Sequence, residues 1–294
     1  MSETPKIALA CTGHRGVRCL QRIRDIAPDA EVVVFSHPPE EWEPDYYDEM
    51  MGEADRLGAE FVTKRRLVTL NGADLLVCVG WRYLVPPEVY ETARLGAWVF
   101  HDSMLPYLRG FSPTVWAVRS GYRTPGATLF RMTEEVDAGP IVGQSFIRDK
   151  WESMASIVDQ VTDIYLRLLD THLPDLMAGM ASVVEQDRAL ATFCPKWGLD
   201  DLRIDWSWGA SEIVGHVRAF GCPYPCARTM ADGIEVKIME AVHPVYARVD
   251  GGFPGQVLRF SDEGVQVICG DSGTVLITDA NPMALLRRLS LRLR

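Results

Sequence analysis

The chain has 294 residues, of which 47% are hydrophobic and 24% charged, with a formal net charge of −10. That length accommodates two domains of ordinary globular composition, and the acidic balance argues against a general nucleic-acid coat. No apolar run approaches the ~18 residues that would span a bilayer, and the opening Met1-Ser2-Glu3-Thr4-Pro5-Lys6 shows no basic leader before an apolar core. A cytoplasmic protein is therefore expected, with no membrane partner. The seven cysteines are scattered, which fits reduced, mostly buried thiols. Cys222 and Cys226 are close, but no second Cys/His pair follows at finger-like spacing, so no metal is expected.

Residues 6–11 read as a buried strand ending in Thr12-Gly13. A helix with Val17, Leu20 and Ile23 on one face follows, then a β-branched strand over 31–35. This βαβ opening implies a right-handed crossover and a parallel sheet. It lacks a Gly-x-Gly-x-x-Gly turn, so no dinucleotide site is expected and Gly13 reads as a turn glycine. Residues 40–49 are acidic and aromatic, without Lys or Arg. They read as a solvated loop and helix start, or as a pocket wall that repels polyanions. Further strands are expected over 58–62 and 74–79. The second opens into Gly80-Trp81-Arg82-Tyr83-Leu84, and Pro87 suits the first turn of a helix carrying Val89, Ala93 and Leu95.

The stretch around which the chain is organised comes next. Ala97-Trp98-Val99-Phe100 is a strand-like run that stops at His101-Asp102-Ser103, followed by a loop punctuated by Pro106, Gly110 and Pro113. In an open α/β sheet, ligands bind beyond the carboxyl ends of the strands. A short helix is expected over 114–119. Then Ala127-Thr128-Leu129-Phe130 leads to Glu134-Glu135-Val136-Asp137, and an alternating edge strand covers 141–147. His101 and Asp137 are expected to meet at one site. Helical spacing of Ile157, Val161, Ile164, Leu168, Leu169, Leu173 and Leu176 predicts a long helix over about 154–180. Residues 192–196 look like a linker. Beyond it, one helix precedes short strands with turns at 8–12-residue spacing, the pattern of a small barrel. The tail over 285–294 reads as a terminal helix with Arg287, Arg288, Arg292 and Arg294 on its outer face.

At this point the sequence resembles the 10-formyltetrahydrofolate-dependent formyltransferases, a family that includes methionyl-tRNA and nucleotide-sugar N-formyltransferases. His101-x-Ser103-Met104-Leu105-Pro106 with Arg109-Gly110 is similar to the family's N-x-H-x-S-L-L-P…R/K-G segment. Val136-Asp137-Ala138-Gly139-Pro140-Ile141 is similar to its V-D-x-G-x-I segment. Arg203-Ile204-Asp205-Trp206, with Val217-Arg218-Ala219-Phe220 and Pro223-x-Pro225, resembles the start of the family's C-terminal barrel domain. The resemblance implies an α/β fold. A doubly wound, Rossmann-like formyltransferase domain is expected over 1–188, a linker over 189–200, and a smaller C-terminal OB-like β-barrel domain over 201–294.

The resemblance also implies a catalytic His101 and Asp137. The family's third catalytic position, an asparagine, falls on Val99. That amide is thought to stabilise an oxyanion, and loss of one such donor typically costs ~10²–10³ in rate. Ser103, Ser112, Thr114 or a backbone N–H are the donors considered as replacements. The folate co-substrate, 10-formyltetrahydrofolate, is expected to lie against Gly80, Trp81, Arg82, Tyr83 and Leu84, with Val136 and Asp137 as the opposite wall. In the implied reaction a neutral primary amine attacks the formyl carbon. The histidine relays a proton near neutral pH, while the aspartate orients the ring and holds its charge. The expected acceptor is a small molecule such as a nucleotide-linked amino sugar. Methionyl-tRNA is the second reading, supported by the C-terminal barrel and its arginines; it ranks lower because phosphate contacts dominate nucleic-acid affinity and the acidic run over 40–49 supplies none. A folate-binding protein with a degenerate centre is a third.

Overall fold

A computed structural model describes residues 5–41, 43–121, 124–148, 153–245, 248–289 and 291–294. Trp42 of the acidic run and residues 1–4 lie outside the described residues. The chain forms two compact units. The first comprises Met1–Pro113, Pro125–Lys150 and Val158–Pro195, and the second Thr114–Thr124, Trp151–Ile157 and Lys196–Arg294.

In chain order the first part of the fold is β1 (Ile7–Cys11), α1 (Gly13–Ile26), β2 (Val32–Ser36), α2 (Tyr47–Arg56) and β3 (Glu60–Thr63). Then come β4 (Leu75–Val79), α3 (Pro87–Tyr90), β5 (Ala97–His101), β6 (Arg109–Gly110) and α4 (Pro113–Ser120). They are followed by β7 (Gly126–Arg131), β8 (Ile141–Phe146), α5 (Met154–Ala178) and β9 (Phe193–Cys194). The first unit's sheet has the order β3-β2-β1-β4-β5-β7-β8. β1 to β5 run parallel, with Ile7 opposite both Val32 and Leu75. β7 and β8 are antiparallel additions. The chain winds outward from β1 through β2 to β3, then restarts at β4 on the other side of β1. The switch point therefore lies between β1 and β4, where crevices form in this architecture.

Burial explains the strands. β1, β2 and β4 are buried at every residue, as parallel strands covered on both faces must be. β8 is only partly buried, as befits an edge strand. α1 packs close to β1 and α2: a side chain at Gly16 would collide with Met50 and Cys11 at 2.7 and 2.9 Å. Pro87 opens α3 as expected, but the helix stops at Tyr90 rather than running on to Leu95. Residues 193–194, within the stretch read as a linker, instead pair in parallel with Arg109–Gly110.

The second unit holds α6 (Ala210–Ala219), β10 (Ala227–Ala231), β11 (Ile234–Val242), β12 (Val257–Ser261), β13 (Gly264–Ile268) and β14 (Thr274–Asn281). The strands form one antiparallel sheet in the order β10-β11-β14-β13-β12. Among the described residues β10 and β12 share no ladder, so the sheet is not a closed barrel and the barrel expectation is corrected. Turn spacing registers antiparallel neighbours but is blind to whether the two edges meet. The core contains Trp206, Ile213, Val236, Ile238, Val265, Val267 and Ile277. Among the described residues the tail is not an α-helix: a 3₁₀ turn over Met283–Leu286 is followed by a further turn and an isolated bridge at Arg292. Arg292 bridges Gln256 and lies 5.0 Å over Phe253, and Arg288 pairs with Asp232.

Candidate active site

β5 delivers His101 to its carboxyl end, where the ring is buried. The ring's Nε2 lies 2.8 Å from the carbonyl oxygen of Leu108. A carbonyl only accepts, so Nε2 carries a proton and donates it. Nδ1 faces Asp137 Oδ2 at 3.6 Å. Asp137 Oδ2 in turn accepts the Gly110 N–H at 2.8 Å. The two side chains singled out by sequence thus come together. The expectation that the carboxylate orients the ring needs amending, because the backbone of Leu108 does that. Nδ1 is left as the nitrogen free to exchange a proton, with a carboxylate beside it.

Asp137 sits at φ +54, in the left-handed region, and side chains that sequence left without a role hold it there. Gln186 Nε2 donates to the carbonyls of Asp137 and Gly139, at 2.9 and 2.7 Å. The same amide's oxygen accepts from Arg109 Nε and Nη2, at 3.2 and 2.8 Å. Arg109 is fully buried and reaches Glu135 with Nη1 at 3.1 Å. The Leu108 and Arg109 amides are pinned to Thr192, and the Phe111 amide to the Cys194 carbonyl. Burial and the Asp137 charge push the Cys194 thiol up to about 12, so it is a neutral packing group rather than a nucleophile. Gln186 carries no motif signal, and the Leu108 carbonyl carries no residue identity at all.

Behind His101, Asp102 turns toward α1 and α5. Arg15 Nη1 donates to both its oxygens at 2.8 Å, and Tyr165 donates to Oδ1. Burial alone would raise the Asp102 carboxyl. The Arg15 charge and these hydrogen bonds overcome it and hold the group below the usual carboxylate range.

Of the two serines considered as oxyanion donors, only Ser103 is already engaged. Ser103 is buried and gives its proton to the Tyr107 carbonyl at 2.6 Å. Ser112 is half-buried at φ +51, just beyond β6, and its hydroxyl makes no hydrogen bond among the described residues. Val99 packs with Trp81, Tyr90 and Met132 against the apolar cluster that includes Val85 and Val89. It offers no donor. Strand alternation places Ala97, Val99 and His101 on one face of β5.

A cavity of about 500 Å³ lies at the amino end of β5, away from His101, lined by Tyr90, Gly96, Ala97, Met132, Thr133 and Glu134 among others. The loop Gly80 to Leu84 does not line this cavity; α3, the continuation of that loop, does. Trp81 and Tyr83 instead pack edge-on to each other and to His37, at 6.0, 5.7 and 5.3 Å between ring centroids. Arg82 pairs with Glu43, and Leu84 and Val136 are 78% and 50% exposed. Among the described residues no group of three His, Cys, Asp or Glu side chains could hold a metal, and no helix is long and apolar enough to cross a membrane.

The first unit is a doubly wound α/β sheet with a histidine–aspartate pair beyond its strand ends. The formyl transferase family matches residues 7–168, and the formyl transferase C-terminal domain matches residues 198–284. The chain belongs to the formyl transferase family. A methionyl-tRNA formyltransferase of Bacillus velezensis is 29% identical over 210 residues, covering 71% of this chain and 65% of that protein. The chain thus spans just under two thirds of the length of that curated relative. Among solved structures, the N-formyltransferase from Helicobacter canadensis, in complex with folinic acid and dTDP-3-aminofucose, matches 93% of this chain and 99% of its own. Its TM-score is 0.68 at 14% identity. HypX from Aquifex aeolicus, in complex with tetrahydrofolic acid, covers 95% of this chain and 44% of its own, with a TM-score of 0.63 at 23% identity. At such identities the likeness is one of fold.

Proposed function

We propose that the protein transfers a formyl group from 10-formyltetrahydrofolate to a primary amine on a small molecule such as a nucleotide-linked amino sugar. The observation that carries this is the convergence of His101 Nδ1 and Asp137 Oδ2 at 3.6 Å, at the carboxyl end of β5 where ligands bind in this architecture. Attack of the neutral amine on the formyl carbon builds an oxyanion and an ammonium. His101 Nδ1 takes the ammonium proton and passes it to the departing folate nitrogen, while Asp137 stabilises the imidazolium. With Val99 in place of an amide, oxyanion donation falls to the unengaged Ser112 hydroxyl. The Gly110 N–H is already spent on Asp137. The second unit is read as the OB-like module that accompanies this domain.

A tRNA acceptor is the second reading, favoured by the name of the B. velezensis relative. The acidic run opposes it: Glu43 and Glu40 pair with Arg82 and Arg65, so these cations are engaged rather than offered to phosphates. The test is formyl-donor consumption with dTDP-3-aminofucose or with charged initiator tRNA. Turnover with the amino sugar is expected, falling at least ~10³-fold in His101→Ala and Asp137→Ala with melting temperature little changed. Turnover with tRNA alone reverses the acceptor assignment, and full rate in both variants removes the site.

A further inference from the structure

Gln186 lies opposite the Asp137 turn for a reason of register. Val184 and Ile141 exchange both backbone hydrogen bonds, at 2.7 and 2.8 Å. Continuing that antiparallel pairing by two residues sets Gln186 against Gly139, and Gln186 is 8% exposed there. The turn itself is tight. The Ala138 amide donates to the Glu135 carbonyl at 3.3 Å and the Arg131 amide to the Pro140 carbonyl at 2.9 Å. A Cβ on Gly139 would lie 1.8 Å from the Arg131 carbonyl oxygen. Asp137 has φ +54, a conformation that costs an L residue energy unless its surroundings hold it. Arg109 decides which way the Gln186 amide points. A guanidinium only donates, so Oε1 must face it, and Nε2 is left to give its two protons to the Asp137 and Gly139 carbonyls. Burying that cation is costly, and Glu135, which Nη1 reaches, sits in the same turn.

We propose that Gln186 is a positioning residue for the transfer reaction, oriented by Arg109, and that its two carbonyl contacts aim the Asp137 carboxylate at His101. The proposal builds on the formyl-transfer reading for the role of that pair. Holding both carbonyls on one amide nitrogen fixes the peptide planes that follow Asp137 and Gly139. With those planes fixed, the Asp137 side chain leaves the main chain in one direction. Its Oδ2 then meets the Gly110 N–H at 2.8 Å and His101 Nδ1 at 3.6 Å. Without the clamp Asp137 is free to leave the left-handed region, and its carboxylate turns away from both. His101 would then take up the ammonium proton with no counter-charge beside it. Gln186 touches no reacting atom and acts through Asp137. The effect belongs to the rate of transfer and not to donor binding, since the Gln186 amide is spent on backbone carbonyls and Arg109.

Two substitutions and one amide test this. Gln186→Glu keeps an acceptor for Arg109 but has no N–H for the two carbonyls; Gln186→Met has neither. The Gly110 amide gauges the carboxylate, because Asp137 Oδ2 is its acceptor. The flanking amides serve as controls. Arg109 donates to the Thr192 carbonyl at 2.8 Å and Phe111 to the Cys194 carbonyl at 3.2 Å, both beside the β6–β9 pairing. Hydrogen exchange of the full chain, followed by NMR, should show Gly110 exchanging at least ~10-fold faster in both variants, with Arg109 and Phe111 within about threefold of wild type. That measurement needs neither donor nor acceptor, so it is decided apart from the formyl-transfer reading. With 10-formyltetrahydrofolate and dTDP-3-aminofucose, kcat should fall at least ~10-fold in both variants while KM for the donor stays within about threefold. An unchanged Gly110 amide, equal loosening of all three amides, or full kcat in Gln186→Glu overturns the assignment. Should Gln186→Met fail to fold, Gln186→Glu, which keeps the Arg109 contact, decides.

Discussion

At the scale of single residues, the site rests on a buried ion pair as much as on His101 and Asp137. Asp102 fixes the position after His101 by tying it to Arg15 and Tyr165, and Phe100 stacks on Tyr165 at 4.2 Å between centroids. Asp102→Asn leaves the largely buried Arg15 cation (side chain 13% exposed) without its counter-charge, which costs on the order of 3 kcal/mol. Because the folded-state carboxyl lies below its unfolded value, the ionised form contributes stability that is complete above about pH 4. The contribution is lost as pH falls through the depressed value. The gap in melting temperature between wild type and Asp102→Asn should therefore be constant from pH 5 to 8 and narrow under stronger acid. A gap that stays constant down to pH 3 rules the pairing out. His101 and Asp137 were legible because they sit in recognisable motifs, and Val99 because it departs from one. Gln186, which holds Asp137 from the other side of the loop, was not, since a lone glutamine some fifty positions away has no local pattern.

At the scale of elements, the two-stranded pairing of β6 with β9 sets the loop that carries the Leu108 carbonyl and the Gly110 amide. Gly110 has φ +110, and a Cβ there would collide with the Cys194 carbonyl. Gly110→Ala must push the two segments apart and withdraw the amide from Asp137. The expected outcome is a loss of at least tenfold in turnover and about 1–3 kcal/mol of stability. Gly52 is the contrast: it lies inside α2, exposed, with nothing within 4 Å of an added Cβ. Gly52→Ala should raise stability by about 0.5–1 kcal/mol. Thermal melts of the two variants in parallel check both signs. The buried runs β1, β2 and β4 were readable because a strand covered on both faces must be apolar throughout. β6, β9 and β10 were missed: two-residue strands carry no periodicity, and the residues of β10, Ala-Arg-Thr-Met-Ala, alternate too weakly. The barrel was over-read because spacing specifies neighbours and not closure.

At the scale of the whole molecule, the two units carry different acid sensitivities. In the second, His216 is fully buried among Trp208 and Phe220. Its Nε2–H donates to the Leu202 carbonyl at 3.2 Å and its Nδ1 accepts from Arg119 Nε at 3.3 Å. Desolvation first, and the Arg119 charge besides, lower its pKa to about 4 against the Leu202 bond. The unfolded chain binds this proton near pH 6.5 and the folded unit refuses it until about 4, so stability is full above pH 6.5 and falls across that window. From 6.5 down to 4 the decline is about 3 kcal/mol. His37 and His172 in the first unit are lowered in the same direction, by desolvation first. The discriminating measurement is therefore a variant. His216→Gln can still engage Leu202 and Arg119 but takes up no proton. It should be less stable than wild type at pH 7, because the imidazole fits among the rings, and should lose most of that deficit by pH 4.5. Calorimetry at both pH values follows the transition of the second unit. A deficit unchanged between them means that the imidazole takes up its proton as readily in the folded unit as in the unfolded chain, and removes this account of the acid loss.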